Sequence, residues 1–179
     1  MRGVVVVIGL ACLVAGCGLV GPTPARHRPP LPPAEPMPEL TVEDVVDGLS
    51  AIGYACRFDP GGDIRSSWNC RLGGQDRSDY VDVGIPSGET GPVERVFASW
   101  VRGGKQEPVD AAALDAMGTS AFTEVLRLIV PEARRPTDGE LLAGVQTNYP
   151  MELGGGWYLG FDRNSILRTI HVVYASDPR

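Results

Sequence analysis

Four cysteines (Cys12, Cys17, Cys56, Cys70), two histidines and 22 carboxylates are the side chains here with the most chemistry to offer. Nucleophilic catalysis needs an imidazole within reach of a Ser or Cys. His171 sits in the run Ile170-His171-Val172, so strand alternation turns it away from the more apolar face. No G-x-S-x-G elbow accompanies it, and Ser50 falls within a helical pattern. Gly103-Gly104-Lys105 lacks the Ser or Thr and the helix that complete a phosphate loop. Asp59 and Asp63 flank a Pro-Gly-Gly turn, without the ligand spacing or closing Glu of a calcium loop. His27 has no neighbour of metal-ligand type. The acids gather at helix starts and turns, where capping and solubility account for them, and nothing selects a pair for glycoside hydrolysis. The sequence therefore names no catalytic residue, no metal and no cofactor.

Aromatic residues offer binding rather than catalysis. Tyr80, Phe97 and Tyr158 each fall on the polar side of an alternating segment. Side by side in one sheet, they would share a face with Arg95, Asp82 and Arg168. Such a face could bind a protein or a glycan, or its aromatics could simply stabilise the sheet by cross-strand packing.

The elements that must position these residues are legible in outline. Thr41 precedes Val42, Val45, Val46, Leu49 and Ile52 at helical spacing, with acids in the first turn and Gly53 as a stop. Three period-2 runs follow, around residues 68–72, 81–85 and 96–100, separated by Gly-rich turns. Asp110 caps a helical stretch reaching Val130, with Leu114, Met117, Ala121, Val125, Leu128 and Ile129 as its apolar stripe and Gly118-Thr119-Ser120 as a point where it could kink. Thr137 and Glu140 form a capping box for a short further helix. Two strands, over 157–161 and 166–175, joined by a turn at 162–165, end the chain. The order α-βββ-α(α)-ββ predicts an α+β fold, with two or three helices on one face of a roughly five-stranded antiparallel sheet.

The first 21 residues read MRGVVVVIGLACLVAGCGLVG. A short basic start, an apolar run over 4–15 and the ending Leu13-Val14-Ala15-Gly16-Cys17 resemble the lipobox of bacterial lipoprotein precursors. The resemblance covers residues 1–17 only. It implies a signal peptide of residues 1–16 and a mature chain that begins at a lipidated Cys17, anchored to the membrane on its extracytoplasmic side. Residues 3–21 are also long enough and apolar enough to remain as a spanning anchor, which gives the same topology. Residues 22–38 hold eight of the 16 prolines, and with the lipidated N-terminus they make a tether over 17–38. In polyproline II form this stretch would lift the domain by about 50 Å. The domain itself would span residues 39–179.

On this reading Cys12 leaves with the signal and Cys17 carries lipid, so Cys56 and Cys70 remain. In an oxidising compartment that pair is read as a disulfide closing a loop of about 15 residues, worth about 3 kcal/mol in the chain-entropy account. Lys105 is the only lysine among 16 basic residues. With abundant Gly, Ala, Val and Pro, this composition resembles that of high-GC bacteria such as actinobacteria.

At 179 residues and net charge −6, the chain is neither a basic nucleic-acid binder nor a polytopic membrane protein. The expectation is a membrane-tethered, non-enzymatic module that binds a protein or wall polymer in the cell envelope. A small envelope hydrolase and a carrier of a small apolar ligand are the alternatives.

Overall fold

The computed structural model describes residues 29–61, 67–73, 79–102, 110–164 and 167–176. Among them the order is α1 (Val42–Ala51), β1 (Ala55–Asp59), β2 (Ser67–Gly73), β3 (Tyr80–Ile85), β4 (Arg95–Val101), α2 (Ala111–Ile129), α3 (Asp138–Thr147), β5 (Met151–Gly154), β6 (Trp157–Arg163) and β7 (Leu167–Tyr174). The fold is α+β, as the alternation of one-sided strands with helices implies. The seven strands form one sheet in the order β1-β2-β3-β4-β7-β6-β5, and every neighbouring pair is antiparallel.

Two strands more than expected are present. β1 is an edge strand of five residues in which Cys56 and Phe58 alternate with Arg57 and Asp59, and β5 is only four residues long. Both turn one face to the core through Cys56, Met151 and Leu153, but their runs are too short for a period-2 pattern to stand out in sequence. The two meanders, β1–β4 and β5–β7, are joined through β4 and β7 after the chain has passed over the sheet as α2 and α3.

Register explains which side is which. Cys56, Cys70, Val83, Ala98, Ile170 and Phe161 are cross-strand partners in one continuous row from β1 to β6. This row faces the helices: Cys56 lies near the Val46 carbonyl of α1, and Phe161 packs under Gly144 of α3. At Gly144 an added Cβ would fall 2.3 Å from the Phe161 ring, so only glycine lets α3 lie this close. Phe122, Phe161, Leu49, Ile85 and Leu141 fill the space between the layers. Burying each such side chain stabilises the fold by about 1.5–3 kcal/mol.

The helices start where their caps direct. Thr41 with Asp44, and Thr137 with Glu140, both form reciprocal capping boxes. α2 is one helix of 19 residues, unbroken at Gly118-Thr119-Ser120. Its buried face is rotated from the expected stripe. Met117 is 46% exposed, while Asp115, Gly118, Thr119 and Phe122 point inward. The inward position of Gly118 has a cause in packing: Arg168 of β7 passes beneath it, with its Cβ 3.2 Å from where a Gly118 Cβ would stand. Ile52, expected in the α1 stripe, lies beyond the helix end and is exposed.

The Pro-rich segment differs from a free spacer over its described part. Leu31 packs on Gly160, Glu35 forms an antiparallel bridge with Tyr174, and Met37 donates its N–H to the Val93 carbonyl at 2.6 Å. Met37 belongs to the core. Proline removes the N–H donor that would otherwise force this segment to pair at every residue, so it docks through isolated contacts.

Candidate functional site

The face of the sheet opposite the helices carries the candidate residues. Next to the core row runs a second row, Arg57, Asn69, Gly84, Phe97, His171 and Gly160, again one residue per strand from β1 to β6. Phe97 lies across Gly84, whose added Cβ would fall 2.0 Å from the ring. On its other side Phe97 faces His171, with ring centroids 6.4 Å apart and planes tilted by 46°. Glycine in a strand often marks such a close approach. Gly84 and Gly160 are two depressions in this face, filled by Phe97 and by Leu31 respectively.

Charged groups flank the row. Arg71 of β2 donates to both carboxylate oxygens of Asp82 on β3, at 2.7 and 3.0 Å. Its guanidinium also stacks 4.3 Å from the centre of the Tyr80 ring, a cation–π contact. His171 Nε2 lies 2.8 Å from an Asp162 carboxylate oxygen. A cleft of about 490 Å³ opens beside the docked N-terminal segment, lined by Ala34, Pro86, Glu94 and Arg95.

Tyr80, Phe97 and Tyr158 rise from the same face but at separate places. Tyr80 is level with Val101, at one end of β4, and Tyr158 is level with Arg95, at the other. At about 3.3 Å per residue and 4.8 Å per strand, they stand more than 20 Å apart. Phe97 lies between them and keeps company with His171 instead. The Tyr158 hydroxyl is enclosed with no hydrogen-bond partner among the described residues. Burial raises its pKa above the ordinary tyrosine value, and the nearby Glu152 charge adds to that.

Alternation along the last strand makes Arg168 an intruder among Ile170 and Val172, and the structure follows that register rather than its grouping with Tyr80 and Phe97. Arg168 lies under α2, 3% exposed, and its Nε donates to Asp115 at 2.5 Å. Its Nη1 donates to the carbonyls of Asn164 and Leu167, tying the β6–β7 turn to the same ion pair. An alternation reading gave no sign that an acid waited on α2, since Asp115 occupies a helix position that sequence assigns to solvent.

His171 and Asp162 form an imidazole–carboxylate pair, which orients a ring for proton transfer when a nucleophile stands on its other side. The serine nearest in register, Ser99, is bonded instead to Thr169 at 2.9 Å. Cys56 and Cys70 are joined as a disulfide between directly paired residues of β1 and β2, with sulfurs 2.08 Å apart. Among the described residues no three His, Cys, Asp or Glu side chains converge as metal ligands, and no helix is long and apolar enough to cross a membrane. Cys17, His27, Asp63, Gly103, Gly104 and Lys105 lie outside the described residues.

Leu31, Glu35, Gly84 and Gly160 are the site residues that sequence reasoning missed. The two glycines carried a signal, as lone glycines on the polar side of otherwise regular strands. Leu31 and Glu35 carried none, because their contacts are with residues more than a hundred positions away. Compared with protein-family models, curated proteins and solved structures, the chain matches none, so these residues and their geometry are the ground for assigning a role.

Proposed function

We propose that this chain is an extracytoplasmic lipoprotein, held to the cell membrane by lipid on Cys17, whose α+β domain binds a protein or wall polymer of the envelope without turning it over. The observation that carries the binding role is the helix-free sheet face, on which Phe97 lies half-buried between Gly84 and His171, flanked by the Arg71–Asp82 pair. Aromatic side chains beside arginine are the composition that recognition surfaces favour. The anchor reading rests on the lipobox-like Leu13-Val14-Ala15-Gly16-Cys17. An apolar carrier would need room between sheet and helices, where Phe122, Phe161 and Leu141 already fill the space.

The test places a photo-crosslinking phenylalanine analogue at position 97, and at position 117 on the far side of the molecule as the control. On intact cells, position 97 should yield discrete adducts that position 117 does not. Identical adducts from both positions would remove the sheet face as the binding surface. For the anchor, the intact mass of the mature protein should carry a lipid increment that Cys17→Ala abolishes, leaving the precursor uncut. A mature wild-type protein without that increment would refute lipidation.

A further inference from the structure

The docked N-terminal segment has the form of a bound peptide. Leu31 drops its side chain into the depression over Gly160, where an added Cβ would meet it at 2.5 Å. Four residues later the Glu35 N–H donates to the Tyr174 carbonyl at 2.8 Å, as one more strand residue beyond the start of β4 would. The Glu35 carboxylate accepts from the N–H and hydroxyl of Ser176, at 3.1 and 2.6 Å. Between these two anchors in the register stands Val173, which points to the helix-free face and yet is fully buried. An aliphatic pocket, a backbone edge and an acid clamp thus lie in line, at the spacing of one extended stretch. Main-chain pairing with side-chain pockets at intervals is how sheets recognise peptides.

We infer that the channel over Gly160 and Val173 to the end of β7 is a peptide-recognition groove, selective for an extended segment with a branched aliphatic residue four positions before an acid, and that residues 31–35 occupy it in cis. This rests on the reading of the helix-free face as the binding surface, and it names the partner class as protein. The cis segment is then a competitor, favoured by the high effective concentration that a short connection supplies. A partner gains access by displacing Leu31, while Met37 keeps its place in the core and holds the chain to the domain. The cleft beside Ala34, Pro86, Glu94 and Arg95 gives the displaced segment or the incoming one room at the groove's edge.

The probe is the segment itself, an acetylated PPLPPAEP peptide corresponding to residues 29–36, titrated into the mature full-length protein. Binding is read from amide chemical shifts of Gly160, His171 and Tyr174. Leu31→Asp should free the groove, so this variant binds the peptide about tenfold more tightly than wild type, the difference expected for one half-buried aliphatic side chain. The same peptide with its leucine replaced by aspartate should not bind. Gly160→Val in the Leu31→Asp background should fill the depression and abolish binding. Leu31→Ala, a milder change, should give the same order with a smaller gap, and it stands in should the aspartate variant misfold. Equal affinity for wild type and the Leu31 variants, binding that survives Gly160→Val, or binding to none of them overturns the groove. Soluble wall fragments that bind at Gly160 in place of the peptide also overturn it. None of these results depends on the adducts at position 97, so the groove and the broader binding role can fail separately.

Discussion

Removing Asp115 is the sharpest probe of how this domain holds its sheet to its longest helix. The Asp115 and Arg168 side chains are 4% and 3% exposed, so both charges have left water. Asp115→Ala leaves the guanidinium buried with its Nε unpaired, though Nη1 keeps the carbonyls of Asn164 and Leu167. Arg163 reaches the second carboxylate oxygen of Asp115 only at 3.7 Å, from a side chain 41% exposed, and contributes little. Breaking one side of a buried pair costs about 3–5 kcal/mol. Domains of this size have about 5–15 kcal/mol in total. With a urea slope of about 1–3 kcal/mol per molar, the midpoint should fall by about 2 M. Replacing both partners by apolar residues of similar size, Asp115→Leu with Arg168→Met, should recover most of the loss, since neither charge is then stranded. Urea titrations of the three proteins by circular dichroism decide it. A cost below about 1 kcal/mol for Asp115→Ala, or a double variant as unstable as the single one, would refute the account of a buried, mutually dependent pair.

Tyr54 gives an alkaline signature. It is 5% exposed, and its pKa is pushed up to about 12, first by burial and then by the Glu124 charge. The unfolded phenol titrates near 10, so stability is full below pH 10 and is lost as pH rises toward 12, by about 1–2 kcal/mol. Tyr54→Phe should remove that slope, and an unchanged slope in the variant would show that other groups carry it. The disulfide between Cys56 and Cys70 should add two alkyl labels to the intact mass only after reduction, and the Cys56→Ser/Cys70→Ser protein should lose about 3 kcal/mol. Labelling of both cysteines without reductant would contradict the bond.

Local signals in the chain had local consequences. Thr41 with Asp44 and Thr137 with Glu140 set two helix starts, because a cap needs only residues three apart. The alternating apolar residues of β3, β4 and β6 chose their faces, since a strand with one buried side repeats every two residues. β1 and β5 were hard to read because five and four residues hold too few repeats of that period to stand out from the turns beside them.

What only the tertiary structure decided was which residues meet. Sequence placed Phe97 and His171 on polar sides of strands, but their pairing follows from β4 lying beside β7, across a 74-residue separation that no local pattern encodes. Arg168 stood in the apolar register of its strand as an unexplained charge until α2 supplied Asp115. Leu31 and Glu35 read as spacer, because proline-rich composition describes backbone stiffness and says nothing of what the chain lies against. The proposed lipid anchor rests on sequence alone, because the apolar start and Cys17 lie outside the described residues and a processing signal, unlike a fold, is proposed from a linear string. The proposed binding face is the converse case, assembled from five strands and an N-terminal segment, since only long-range pairing sets glycines opposite an aromatic ring and a leucine.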